Sequence, residues 1–344
     1  MTMHTANLAL DVRPDLPEGF LSVTARELHR LLPRPTLIEL PGRRAQPLFV
    51  SILLHGNEDT GLRAVQQVLA RHAGRELPRA LMLFVGNVDA ARAGLRHLDT
   101  QPDYNRVWPG TPLVERPEAA LMAEVVARVA ARKPWASIDV HNNTGLNPHY
   151  ACVNRLEAST LQLATLFSRI VVYFTRPLGV QSLALSPLCP AITVECGKAG
   201  VTAGDAHAAD LIEAALQMDH WPAHPPRPED LSIYHTVATV KIPPDVDFGF
   251  DTPDRRLDLP ADCERWNFSD LERGLRWGWV RGEGIPLAVH DEVGREVFDD
   301  WFEIAGDELR LRRAATPSML TRDERVIRQD CLCYLMERLA PLGI

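Results

Sequence analysis

No apolar run in the 344 residues approaches the roughly 20 that a spanning helix needs, so a membrane-embedded chain is not expected. Met1 to Arg13 shows no basic region followed by an apolar core, so no secretory signal is read there. A cytoplasmic location is the expectation. Basic charge is in deficit too: 37 Lys and Arg stand against 45 Asp and Glu, net -8, which argues against a nucleic-acid surface. The six cysteines (Cys152, Cys189, Cys196, Cys263, Cys331, Cys333) form no Cys-x-x-Cys pair and no zinc-ribbon spacing. In a chain without an export signal they are expected as buried free thiols, with Cys331 and Cys333 both in packing roles. No internal repeat or low-complexity segment is found.

What is present reads as α/β. A helix is expected around Thr24 to Leu32, then strands over Thr36 to Leu40 and Leu48 to Leu54, the second nearly all apolar and therefore central. Thr60 to His72 places Leu62, Val65, Val68 and Leu69 on one helical face. Ala80 to Val85 is another buried strand, and Pro117 opens a helix running to about Arg132. Strands at Ser137 to His141, His149 to Val153, Val171 to Phe174 and Ala191 to Cys196 alternate with helices at Leu156 to Ile170 and Asp205 to Met218. This alternation predicts a mixed, mainly parallel sheet flanked by helices. Four prolines between Pro222 and Pro228 mark a stiff linker. The domains are therefore set at 1–220, with a linker at 221–230 and a smaller β-rich C-terminal domain at 231–344. The last stretch, Arg322 to Leu339, is expected to be helical.

Three strand ends carry candidate chemistry. Phe49 to Leu54 runs into His55-Gly56-Asn57-Glu58, which puts an imidazole at a strand end and a carboxylate at the start of the next helix. Both can turn towards the crevice where open α/β sheets bind ligands, and both suit a divalent zinc. Asp139-Val140-His141 ends a second strand; residues two apart share a face, so Asp139 is placed to orient a ligand from behind. Glu195 follows Ile192-Thr193-Val194, an odd place for a carboxylate unless it meets a rim or a functional cavity. Beside a zinc it would take the proton from a bound water and pass it to a departing amine. In the loop after the Ala80 to Val85 strand, Asn105-Arg106 suits a substrate carboxylate, and Arg96 would polarise a scissile carbonyl.

His55-Gly-Asn-Glu58, Asp103-Tyr-Asn105-Arg106, Asp139-Val-His141-Asn142 and Glu195-Cys-Gly-Lys198, in that order, resemble the zinc carboxypeptidase superfamily. The closer resemblance is to its succinylglutamate desuccinylase/aspartoacylase branch, over roughly residues 45 to 218. It implies His55, Glu58 and His141 as zinc ligands and Glu195 as general base and acid. It also implies Asn105 and Arg106 as carboxylate binders, Arg96 on the carbonyl, and a mixed eight-stranded sheet. In that branch the arginine lies closer to the Asn-Arg pair, so a short insertion is implied here. Aspartoacylases carry a further arginine shortly before the catalytic Glu. Gln181 to Thr193 contains none and Arg176 is the nearest, which speaks against N-acetylaspartate. The expected activity is zinc-dependent hydrolysis of an amide in a small acidic N-acyl amino acid. The alternatives are a carboxypeptidase acting on peptide C-termini and a non-catalytic zinc-binding protein. Oligomeric state is left open.

Overall fold

A computed structural model describes residues 8–222 and 224–339. Residues 1–7 of the segment read for a leader lie outside them. The chain forms two compact units, one of residues 8–142 and 149–231, the other of residues 143–148 and 232–339.

The first unit contributes eight strands to the larger sheet. Its strands are β1 (Asp11–Arg13), β2 (Thr36–Leu40), β3 (Gly42–Ile52), β4 (Leu77–Val85), β5 (Ala136–Asn143), β6 (Tyr150–Val153), β7 (Ile170–Tyr173) and β8 (Ala191–Lys198). They lie in the order β1-β2-β4-β3-β5-β8-β6-β7. β3 pairs parallel with both β4 and β5, whereas β2–β4 and β6–β8 are antiparallel, so the sheet is mixed, as the alternation predicts. Leu48 to Ile52 is wholly buried because both faces of the sheet are covered. On one face α1 (Thr60–Arg71) packs beside α6 (Ala203–Gln217). On the other, α3 (Pro117–Ala131) sets Leu121, Met122, Val125 and Val129 against Phe49, Met82, Phe84 and Trp108. The short helices α2 (Val88–Ala93), α4 (Ala158–Thr165) and α5 (Gln181–Leu185) complete the unit.

The second unit holds two groups of paired strands around its own core, in which Trp277, Phe302, Leu309 and Leu335 are fully buried. One group has β9 (Ser232–Lys241), β13 (Ala288–Asp291), β16 (Thr316–Ser318) and β17 (Cys333–Arg338). The other has β10 (Phe248–Phe250), β11 (Leu257–Leu259), β12 (Arg276–Val280), β14 (Phe302–Ala305) and β15 (Glu308–Leu311). Only two short α-helices occur among its described residues, α7 (Phe298–Trp301) and α8 (Glu324–Gln329).

Two expected helices are corrected. Thr24 to Leu32 forms turns and a three-residue 3-10 segment, Leu28–Arg30, because Pro33 and Pro35 leave no room to propagate a helix. Arg322 to Leu339 divides into α8 and β17. The unbroken run Cys333-Tyr-Leu-Met336 inserts between β9 and β16, and a doubly paired strand buries both sides of such a run. All six cysteines are free, and five of them are buried.

Candidate metal centre

The geometry begins where β3 stops. Ile52 is its last residue, and Leu53, fully buried, takes a left-handed φ of 54°, a conformation a leucine adopts only when its surroundings impose it. Asn87 N–H donates to Leu53 O at 2.7 Å and holds that turn. The chain then passes close under α2: a Cβ on Gly56 would lie 2.1 Å from Ala91 N and 2.2 Å from Ala90 C. Glycine at 56 is thus demanded by close approach to a neighbouring helix. The turn delivers His55 and Glu58, both nearly fully buried, to the C-terminal end of the sheet.

His141, from β5, completes the cluster. Ligand atoms of His55, Glu58 and His141 all lie within 4.8 Å of one another. The two Nδ1 atoms face each other at 3.1 Å, and each also faces a different oxygen of Glu58, at 2.9 Å for His55 and 2.8 Å for His141. Each ring turns its Nε2 outward to a carboxylate: His55 Nε2 donates to Asp103 at 2.9 Å and His141 Nε2 to Asp139 at 2.8 Å. With the proton held at Nε2, both Nδ1 lone pairs point at one place.

Two imidazole nitrogens and a carboxylate are the donor set that zinc takes in open catalytic sites. The 3.1 Å between the Nδ1 atoms is close to the about 3.3 Å that two nitrogens on one tetrahedral zinc would span. The carboxylates behind the histidines are the usual partners of zinc-binding imidazoles. The residues fit the ion.

Electrostatics agree. Burial alone would depress the His141 pKa, but Asp139 and Glu58 outweigh it and raise it well above the ordinary value. For His55, burial and Arg96 lower the pKa, while Glu58 and Asp103 raise it further than they lower it. Glu58 is pushed up by burial but held below the carboxylate range by the two imidazoles. The pocket concentrates negative charge around two nitrogen donors, a field that suits a divalent cation.

Glu195, on β8, is 5% exposed, and burial raises its pKa to about 7. His141, Glu58, His55 and Arg96 all act on it electrostatically, so it lies within their electrostatic reach. Arg96 donates through Nε and Nη2 to Asp103 Oδ2, at 3.1 and 2.8 Å, and lies 3.9 Å from Glu58. Asn105 is engaged at both ends: its Oδ1 accepts from Gln181 N–H at 3.0 Å, and its Nδ2 faces His141 Nε2 at 3.1 Å and Asp139 Oδ2 at 3.3 Å. Arg106 donates to its neighbour's carbonyl, Asn105 O, at 2.8 Å. Asp139 turns towards His141, the same-face neighbour that strand period gives it, and Ser51 Oγ donates to its other oxygen at 2.6 Å.

Sequence reasoning gave no role to Asp103 or Gln181. Asp103 binds His55 and Arg96 together, and those two cations with Arg106 keep its carboxylate well below its ordinary pKa despite burial. The only sequence signal was its place two residues before Asn105.

Residues 45–218 match the succinylglutamate desuccinylase/aspartoacylase catalytic domain. No curated protein matches the chain. Among solved structures, succinylglutamate desuccinylase from Vibrio parahaemolyticus aligns with a TM-score of 0.60 at 13% identity, covering 94% of this chain and 96% of that one. The desuccinylase from Chromobacterium violaceum gives 0.57 at 18% identity, covering 88% and 87%. Murine aminoacylase 3 gives 0.56 at 17% identity, covering 86% and 95%. At such identities these likenesses show a shared fold. No helix among the described residues is long and apolar enough to cross a membrane.

Proposed function

The chain belongs to the succinylglutamate desuccinylase/aspartoacylase family, and from that premise we propose that it is a zinc-dependent deacylase of small acidic N-acyl amino acids. The observation that carries this reading is the convergence of His55, Glu58 and His141 beside a buried carboxylate, Glu195, whose pKa lies near 7. Zinc, when bound, would polarise the scissile carbonyl and make a water molecule acidic near neutral pH.

The remaining work falls to the chain. A carboxylate with a pKa near the working pH accepts a proton and releases it again with little penalty in either direction. Glu195 therefore takes the proton of the attacking water and hands it to the amine as the amide C–N bond breaks. Asp103 and Asp139 hold the Nε2 protons of His55 and His141, which leaves Nδ1 as the nitrogen each ring would offer a metal. Arg96, anchored by Asp103, supplies positive charge for the carbonyl oxygen as it becomes an oxyanion. Arg106, with Asn105 beside it, is the candidate for the substrate carboxylate; Asn105's amide is already bonded within the protein, so Arg106 would bring the charge. We assign catalysis to the first unit, which carries every one of these residues.

The test is hydrolysis, by the zinc-loaded full chain, of N-succinyl-L-glutamate, N-acetyl-L-aspartate and a set of N-acetyl amino acids, against a set of peptides. Release of free amino acid from an acidic N-acyl substrate, abolished by a chelator and restored by zinc, is the expected result. Hydrolysis of peptides alone, or of nothing, would overturn the assignment.

A further inference from the structure

Asn142 follows His141, so strand alternation sends its side chain to the opposite face of β5, away from the ligand cluster and towards α1 and α6. It is 5% exposed and makes three hydrogen bonds, none to a neighbour in sequence. Its backbone N–H donates to Glu58 Oε2 at 3.0 Å, the same oxygen that faces His141 Nδ1. Its Nδ2 donates to Gly197 O at 3.2 Å and to Thr60 Oγ1 at 3.1 Å. Gly197 O can only accept, so the amide cannot be flipped, and the buried Oδ1 accepts nothing.

Gly197 lies two residues beyond Glu195, in the strand next to β5. It has a left-handed φ of 74°, the point at which β8 bends out of its pleat. The paired register of β8 with β6 runs from Ile192 to Glu195, so Gly197 lies beyond it, and there the Asn142 amide bonds its carbonyl. The other arm is itself braced. Thr60 Oγ1 donates to Asp205 Oδ1 at 3.0 Å, and Asp205, 4% exposed, takes Arg63 Nε at 2.6 Å and Nη2 at 3.0 Å. Arg63 also pairs with Asp59, the residue between Glu58 and the first turn of α1. One residue therefore joins three parts of the site: its backbone N–H holds the Glu58 carboxylate, and its side-chain amide links the start of α1 to the bend after Glu195.

We propose that Asn142 is a positioning residue: its amide, braced by Thr60, Asp205 and Arg63, holds the bend at Gly197 and thereby keeps the Glu195 carboxylate in register with the His55, Glu58 and His141 cluster. It touches neither substrate nor reacting atoms. The catalytic consequence rests on the deacylase reading above; the structural anchoring does not.

The experiment uses the full chain with Asn142→Ala, Thr60→Val and the double substitution, each loaded with zinc chloride. Hydrogen exchange of the peptide covering residues 191–200 is measured beside zinc content and steady-state kinetics on the N-acyl substrate that the wild type cleaves fastest. Asn142→Ala should keep its zinc and exchange faster in that peptide, with peptides from β3 and β4 unchanged. Its kcat should fall on the order of 10- to 100-fold with KM within about threefold, the loss expected when a supporting hydrogen bond lets a reacting group drift. Thr60→Val keeps the bulk and removes the brace, so it should show a smaller loss in the same sense, and the double variant should lose little beyond Asn142→Ala. Unchanged exchange over 191–200, exchange raised throughout the sheet, lost zinc, or additive losses would each overturn the proposal. A wild type that cleaves no N-acyl substrate would sink the deacylase reading alone, because the exchange result still judges the anchoring.

Discussion

Asp139→Asn tests the metal centre without any knowledge of the substrate. Asp139 is fully buried, accepts from Ser51 Oγ on one oxygen and receives His141 Nε2–H at 2.8 Å on the other. An asparagine there can turn its NH2 towards Nε2, which would then become the acceptor and drive the ring proton to Nδ1, the atom aimed at the ion. Loss of such a carboxylate partner weakens metal binding on the order of 10- to 100-fold, or about 1.4 to 2.8 kcal/mol. The pH dependence sharpens the test. Asp139 also helps raise the His141 pKa well above its ordinary value, so in the wild type a proton competes with the metal as pH falls. The variant's histidine holds that proton less tightly. Its deficit in zinc affinity should therefore be largest near pH 8 and shrink towards pH 6. Competition with a chromophoric chelator at several pH values measures both quantities. An affinity within threefold of the wild type at pH 8, or a deficit that grows as pH falls, would refute the carboxylate–imidazole reasoning.

Glu195→Gln removes the base and leaves the ligands, so zinc content should stay equimolar while kcat falls by about 10²- to 10⁴-fold; an unchanged rate would place the base elsewhere. Gly56→Ala drives a Cβ into the backbone of Ala90 and Ala91, and thermal denaturation should report a loss of about 1 to 3 kcal/mol even in metal-free protein. Arg96→Lys keeps the charge but surrenders the two-pronged grip on Asp103, so kcat/KM should drop about 10-fold or more with zinc affinity nearly intact. Stopped assays beside metal analysis read that pair of outcomes.

The parts legible in the sequence were those whose physics is local. The buried half of β3 declared itself by a nearly all-apolar run, and His55 and Glu58 followed from its end, although Glu58 sits in the turn two residues ahead of α1 and not on the helix itself. Asp139 and His141 needed only the two-residue period of a strand. What stayed hidden depends on pairing across the chain. His55 and Asp103 are 48 positions apart, and nothing in either neighbourhood announces the bond between them. α2 has its start and stop signals in plain view, Asn87 accepting from Ala90 N–H and Gly94 at a φ of 67°, but six residues give too little period to read. The C-terminal stretch misled for a related reason. Val326 and Ile327 fit a helix, and only the partners β9 and β16 decide that Cys333 to Arg338 is a strand.

The buried charge at the centre also sets how stability should vary with pH. Glu58, Asp139 and Glu195 are all buried, Asp103 nearly so, and the cations among them are Arg96 and whatever the two histidines carry. In metal-free protein that compensation must come from protons. The pKa values of His55 and His141 are raised above the 6.5 of an unfolded chain, so their stabilising contribution is complete below pH 6.5 and disappears as pH rises through the raised values. Glu195 acts in the same direction: folded at about 7 against 4.5 unfolded, it binds more protons in the folded state, and stability falls as pH rises from 4.5 to 7. Its share alone is on the order of 3 kcal/mol. A divalent cation supplies the missing charge without a proton and, since ligand deprotonation favours it, binds more tightly as pH rises. The difference in melting temperature between zinc-loaded and chelator-stripped protein should therefore widen from pH 5 to pH 8, mainly through a fall in the stripped form. Glu195→Gln should flatten part of that fall. A stripped protein that grows more stable over the same interval would mean that the carboxylates do not share one buried field, and the metal centre would have to be rebuilt from other residues.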